Sequence, residues 1–314
     1  MWELEELVAG VTAGSPRALG RALSLVENGT DAGRELLKLL PRRRGWLPTV
    51  GFTGPPGAGK STLIEKVGLA LAERGERVAV LAVDPSSPFS GGALLADRLR
   101  MARLAAAGGF VRSAATRGAL GGLAAACADL LEVLRAAPFT WVLVETVGVG
   151  QDEVDVAGVV DTVVLLQVPG LGDDVQLAKA GVMEIAHVFA VNKKDRPGAA
   201  ELAQTLTSLL PHEAPSGWLP PVVTVAAITG EGVEELMAAV EAHQRFLGEH
   251  GRRPLLARER AERRLAALLS DLVVRRAREG RKIWEDAVAA VASGQIDPFS
   301  AAERLLQCLG REAR

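Results

Sequence analysis

The sequence predicts an α/β protein with a mostly parallel central sheet flanked by helices and with further helices at both ends. Three observations lead there. Short apolar runs alternate with helical stretches from Thr49 onward. Most of these runs lack polar alternation, as expected of strands covered by helices on both faces. After Arg252-Arg253-Pro254 the runs stop, and only helical periodicity continues to Arg314.

From Trp2 to Leu40 apolar residues recur at three and four positions, and Gly14-Ser15-Pro16 divides two helices. The basic run Arg42 to Arg44 lies between Pro41 and Pro48 and reads as a solvated linker. The strands follow: Thr49 to Thr53, Arg77 to Val83, Phe110 to Ser113, Trp141 to Glu145, Thr162 to Val168, His187 to Val191 and Val222 to Ala226. In such sheets ligands bind beyond the carboxyl ends of the strands, so the loops there are where chemistry is expected. Past Pro254, two or three amphipathic helices are broken near Gly280 and Gly294 to Pro298. Leu265, Leu268, Leu269, Leu272 and Val273 share one helical face, which packs either in the chain's own core or against another subunit. The division is a helical lead-in over 1–45, an α/β domain over 46–250 and a helical arm over 251–314.

A formal net charge of -2 argues against a general attraction to nucleic acid or to an anionic membrane. Aromatic residues are scarce and Tyr is absent, so packing rests on Leu, Val and Ala. Cys127 and Cys308 are far apart and offer neither a disulfide framework nor a zinc motif, which fits a reducing compartment. The stretch Met1 to Gly10 is acidic and does not read as a signal peptide, and no apolar run reaches the roughly 18 residues of a membrane span. A cytoplasmic protein is expected.

Gly54-Pro55-Pro56-Gly57-Ala58-Gly59-Lys60-Ser61 fits the pattern G-x-x-x-x-G-K-[ST], between an apolar strand and a helix beginning near Thr62. Glycines let the backbone turn its N–H groups toward phosphates, and the helix N-terminus adds its positive dipole end. Lys60 would reach the β- and γ-phosphates, and the Ser61 hydroxyl would ligate Mg2+. Asn192-Lys193-Lys194-Asp195 follows another apolar strand and fits N-K-x-D, the guanine-specificity pattern. The Asp195 carboxylate can accept hydrogen bonds from the ring N–H and amino group of guanine, which adenine lacks. Asn192, Lys193 and Asp195 are assigned to the base, and Ala227, just past the last strand, is placed with them. Glu145-Thr146-Val147-Gly148 follows the strand from Trp141, where Glu145 would bind Mg2+ and the Gly148 N–H would meet the γ-phosphate. Asp84 and Asp97 are two further candidates for the metal; the alternatives are that Asp84 shapes a turn and Asp97 caps a helix. The expectation is a P-loop GTPase that uses GTP/GDP and Mg2+, with Lys60, Glu145 and Gly148 at the reacting phosphate. Gln151 is a candidate for orienting water or a solvent-facing side chain, and Arg98, Arg100 and Arg117 are candidate arginine fingers. His187, His212, His243 and His250 show no metal-ligand spacing and read as structural or surface residues.

Together these residues resemble the MeaB/ArgK family of P-loop GTPases. Besides Gly54 to Thr62, the match rests on Asp84 to Met101, on Glu145 to Gln151, and on Gln167 to Asp195 with its Gly172-Asp173-Asp174-Val175-Gln176 and Lys179-Ala180-Gly181. Arg117-Gly118 and Gly121-Gly122 extend it, from about Trp46 to Leu247. The resemblance implies a chaperone for an adenosylcobalamin-dependent acyl-CoA mutase, usually methylmalonyl-CoA mutase, and a C-terminal arm that forms a homodimer. It also implies that Asp84, Asp97 and Glu145 surround Mg2+ and that Gly170 to Lys179 is a switch segment coupled to the mutase. Ala96 stands where the pattern has Gly, and His187 where it has Asp. Two other functions compete with this one: a kinase of the arginine/ornithine transport type, for which no second substrate pocket is evident, and a metallochaperone GTPase, which normally needs Cys or His clusters near the nucleotide.

Overall fold

The computed structural model describes residues 2–43, 45–84, 101–115, 122–146, 157–170, 183–211 and 217–312. Three helices come first, α1 (Leu4–Thr12), α2 (Pro16–Glu27) and α3 (Asp31–Leu39). The expected two are therefore three. The extra break falls at Asn28-Gly29-Thr30, where Gly29 takes φ 61° and the Thr30 hydroxyl accepts the Gly33 N–H at 3.0 Å, a local cap that the apolar periodicity runs straight through.

Seven strands form one sheet: β1 (Thr49–Thr53), β2 (Val78–Asp84), β3 (Phe110–Ala115), β4 (Trp141–Thr146), β5 (Thr162–Gln167), β6 (Val188–Val191) and β7 (Val222–Thr224). Their order is β3-β2-β4-β1-β5-β6-β7, and every neighbouring pair is parallel. All residues of β1, β5 and β6 are buried, which is why these runs carry no polar alternation. β7 is shorter than the expected Val222 to Ala226. The Val225 N–H still reaches Val191 O at 2.8 Å, but Ala226 turns away to pair antiparallel with Glu231.

Between the strands lie α4 (Lys60–Glu73), α5 (Ala102–Ala106), α6 (Gly122–Ala136), α7 (Ala199–Leu209) and α8 (Val233–Glu249). Strand periodicity divides the core. Ala79, Leu81 and Val83 of β2 pack with Leu7, Leu19, Leu23 and Leu36 of the first helices and with Leu130 and Leu134 of α6. Val78 and Val80 face the other way, into a cluster with Leu63, Ile64 and Val67 of α4 and Leu236 and Val240 of α8. α7 covers Phe189 and Val191 of β6 through Leu202 and Leu206.

The chain divides into two compact units, residues 1–260 and 261–314. The last helices are α9 (Arg252–Glu279), α10 (Arg281–Ala292) and α11 (Pro298–Glu312), broken near Gly280 and Gly294 as the sequence predicts. In the second unit, Val273, Trp284, Val288, Val291, Leu305 and Leu309 line an apolar groove. Leu265, Leu268, Leu269 and Leu272 of α9 are exposed, while Val273 of the same face lines the groove. No helix among the described residues is long and apolar enough to cross a membrane.

At the amino ends of β1, β5 and β6 a buried polar network closes the first unit. Asp161, fully shielded, accepts the Thr49 N–H at 2.9 Å and pairs with Arg260 at 2.6 Å. Beside it the His187 and His243 rings lie 4.2 Å apart. The Val163 N–H donates to Nδ1 of His187 at 3.0 Å. Gln244 donates to the Thr162 hydroxyl, which also lies in hydrogen-bond contact with Nδ1 of His243 at 2.8 Å. Nδ1 of His187 is therefore an acceptor, a role only the neutral ring can play. Trp218 packs against His243 with its ring tilted, and its indole N–H donates to His187 O, which seals the pair. Burial lowers the pKa of His187 to about 4, helped by Arg260, and burial lowers that of His243 to about 3, helped by His187.

A ring whose folded pKa lies below its unfolded value of about 6.5 contributes stability that is complete above that pH and is lost as the pH falls toward the folded pKa. For His243 the loss should approach about 2 kcal/mol at pH 5. Urea unfolding at a series of pH values from 7 to 4.5 should therefore show a steep decline in the wild type and a shallower one in His243→Gln. Parallel declines would show that the ring is not buried as a neutral base.

Candidate nucleotide site

Gly54 leaves β1 with φ 142°, and a Cβ there would lie 2.4 Å from Leu166 O. Gly59 takes φ 90°, and a Cβ there would meet the Asn192 amide nitrogen at 2.5 Å. Side chains are excluded at both positions by backbone angle and by space. Between them the Ala58 N–H closes a turn on Pro55 O at 3.1 Å, leaving Pro56 and Gly57 exposed. α4 begins at Lys60 with Gly59 as its N-cap, which has no side chain to satisfy the N–H groups of the first turn, where Ser61 and exposed Thr62 lie. Lys60 is buried, and its Nζ donates to Gly54 O at 2.8 Å and Pro55 O at 3.2 Å. The Ser61 hydroxyl donates to Glu145 Oε1 at 2.5 Å. Glu145 is brought there by β4, whose register sets it beside Phe52 of β1.

The loop after β6 approaches from the other side. Asn192 is buried and uses both ends of its amide: Nδ2 donates to Ala58 O at 2.7 Å, while Oδ1 accepts the N–H of Lys193 at 2.8 Å and of Ala227 at 3.0 Å. Lys193 has φ 61°, the one non-glycine residue with positive φ among those described. Such a backbone costs on the order of 1 kcal/mol and recurs at functional loops. Asp195 is exposed on the same turn. Lys194 braces that turn through its N–H on Val225 O at 2.9 Å and its ammonium on Glu231 at 2.7 Å. The sequence reading missed this brace, because nothing in the Gly230-Glu231-Gly232 stretch marks Glu231 as a partner of residue 194.

Of the remaining expected residues, Asp84 ends β2 opposite Ala115, and its side chain lies outside what the structure describes. Asp97, Gly148, Gln151, Arg98, Arg100, Arg117, His212 and residues 171–179 also lie outside the described residues.

Since one asparagine holds the phosphate loop and the N-K-x-D loop in a single arrangement, the two motifs form one site at the carboxyl edge of the sheet, and the fold and site together define a P-loop GTPase. Residues 19–282 match the family described as methylmalonyl Co-A mutase-associated GTPase MeaB, and the chain belongs to that family. It is 43% identical to a protein of Pyrococcus horikoshii, over 98% of each chain. It is 33% identical to the mouse mitochondrial protein named methylmalonic aciduria type A homolog, over 97% of this chain and 79% of that one. A solved structure of a protein named LAO/AO transport system kinase superposes with a TM-score of 0.69 at 26% identity, covering 98% of this chain and 97% of that one.

Asn192→Ala would strip partners from Ala58 O and from two N–H groups at once, each buried group left unpaired costing about 1–3 kcal/mol. GDP affinity, followed with a fluorescent analogue, should fall by roughly 100-fold or more. A folded variant with wild-type affinity would show that the two loops hold their arrangement without Asn192.

Proposed function

We propose that this GTPase is a nucleotide-switched chaperone that gates cofactor loading of an adenosylcobalamin-dependent acyl-CoA mutase, with methylmalonyl-CoA mutase as the client. The observation that carries this reading is the match over residues 19–282 to a family described as mutase-associated. The name of the mouse relative supports it.

The chemistry proposed is hydrolysis of GTP to GDP and phosphate. Lys60 would exchange the carbonyls of Gly54 and Pro55 for β- and γ-phosphate oxygens, and the N–H groups from Gly57 to Thr62 would cradle the phosphates. The Gly148 N–H is assigned to the γ-phosphate, and Asp195 is assigned to the guanine edge above Lys193. Ser61 and Glu145 offer a hydroxyl and a carboxylate in contact, a pair of hard oxygen donors suited to Mg2+, and Asp84 and Asp97 would complete the acidic surroundings. When bound, that ion neutralises charge developing on the phosphate oxygens. The protein's part is to hold the donors in place before the nucleotide arrives. Two free thiols fit a reducing compartment such as the cytoplasm. The exposed leucines of α9 support a homodimer through the C-terminal arm.

A kinase stays as the second reading, because the solved relative carries the name of a transport system kinase. Incubation with γ-labelled GTP separates the two: free phosphate supports hydrolysis, and a labelled acceptor supports transfer. For the chaperone role, GTP turnover is measured with and without saturating methylmalonyl-CoA mutase. Acceleration is the expected result, and an unchanged rate together with no complex on a sizing column would remove the mutase as client.

Lys60→Ala should lower turnover by about 100-fold or more, because it removes the main fixed charge at the phosphates; steady-state phosphate release measures it. Asp195→Asn should move the preference from GTP toward xanthosine triphosphate, which carries an oxygen in place of the guanine amino group. Competition binding reads the ratio, and an unaltered preference for GTP would show that Asp195 does not read the base.

A further inference from the structure

We propose that Glu65, on the helix that follows the phosphate loop, is a positioning residue for hydrolysis: it fixes the end of the segment that carries Asp97 to the same rigid helix as Lys60 and Ser61. The inference rests on the reading of Asp97 as a residue of the magnesium surroundings.

The argument starts at α5. Its N-cap is Met101, with φ -117° and ψ 31°, and a thioether cannot accept the N–H groups of the first turn as Ser, Thr, Asp or Asn would. The missing acceptor comes from another helix. Glu65 of α4, only 9% exposed, takes the Arg103 N–H on Oε1 at 3.1 Å. Three residues further along α4, Gly68 makes room for α5: a Cβ there would lie 2.6 Å from Leu104 Cδ2, and Leu104 and Met101 are wholly buried. Positions i and i+3 lie on one face of a helix, so a hydrogen bond and a close apolar contact grip α5 side by side.

α4 begins at Lys60, and Glu65 follows Ser61 by four residues, about 6 Å along the axis. The start of α5 is thereby fixed to the helix that carries the two side chains assigned to phosphate and metal. Asp97 precedes Met101 by four residues and cannot lie more than about 14 Å from it, whatever path the chain takes. Slackening the grip on α5 lengthens that tether at its fixed end. Neither Glu65 nor Gly68 belongs to the phosphate or guanine motifs, so damage here should reach the metal and the rate while leaving base recognition alone.

The test compares wild type, Glu65→Ala, Glu65→Gln and Gly68→Ala in the full chain. Glu65→Ala should lower kcat for GTP about tenfold and raise the magnesium concentration for half-maximal rate about fivefold, with GDP affinity measured without magnesium held within about twofold. Glu65→Gln keeps an acceptor oxygen and should restore most of both. In the nucleotide-free protein, hydrogen exchange at the Arg103 amide should quicken about tenfold in Glu65→Ala and return near wild type in Glu65→Gln. Should Glu65→Ala fail to fold, Gly68→Ala, which displaces Leu104, must show the same magnesium shift with intact GDP affinity. The inference is overturned by a folded Glu65→Ala with wild-type kcat and magnesium midpoint, by Glu65→Gln no better than Ala, or by GDP affinity falling in step with kcat. If Asp97→Asn leaves the magnesium midpoint unmoved, the reading of Asp97 itself fails and the inference falls with it. A shift in Asp97→Asn without one in Glu65→Ala isolates the failure to Glu65.

Discussion

The site depends on three hydrogen bonds from one side-chain amide. Asn192 is the only described side chain that touches the phosphate loop, its own turn and the loop after β7 together, and it satisfies three backbone groups, two of them in fully buried bonds. A buried carbonyl or N–H left without a partner is expensive, so the three segments are held to one mutual arrangement rather than to several of similar energy. The glycines follow from this. Gly59 must lack a Cβ because Asn192 occupies the place where one would sit, and Gly54 must lack one because β5 passes there. The phosphate pattern in the sequence is therefore partly a record of which neighbours crowd the loop.

Much of the fold was legible for a simple reason. Helices on both faces make the strands uniformly apolar, and such runs stand out between amphipathic stretches, as Val163 to Leu166 and Val188 to Val191 do. What was not legible was local capping and long-range pairing. The break at Gly29-Thr30 turns on one hydroxyl and one left-handed residue, which the apolar spacing does not register. The strand expected to run to Ala226 stops short because Ala226 pairs with Glu231 instead of with β6. In the site, residue types and spacing pointed to Lys60, Ser61, Asn192 and Asp195, and the structure brings these residues to one edge of the sheet. The partners that hold them, such as Ala58 for Asn192, are backbone atoms and leave no mark in a motif.

The two ends of the sheet are used differently. At the carboxyl ends, Lys60 holds loop carbonyls and Ser61 holds Glu145, contacts that a ligand can exchange for its own. At the amino ends, the imidazole pair, the Asp161–Arg260 ion pair and the Thr162–Gln244 bond are enclosed. Stability and exchange are thereby separated along the strands, and a change at one end need not disturb the other.

The position of β3 has a further consequence. It is an edge strand, and its Arg112 is held by Glu27 and Ser24 of α2 through a contact in which both charged side chains are mostly shielded. The first helices also cover the apolar face of β2. Exposed strand edges and apolar sheet faces are templates for self-association, so these helices confer colloidal protection as well as packing. A form of the chain shortened to begin just before β1 would keep every nucleotide motif and yet present a sticky sheet to its neighbours. For this chain, solubility and activity have separate addresses in the sequence.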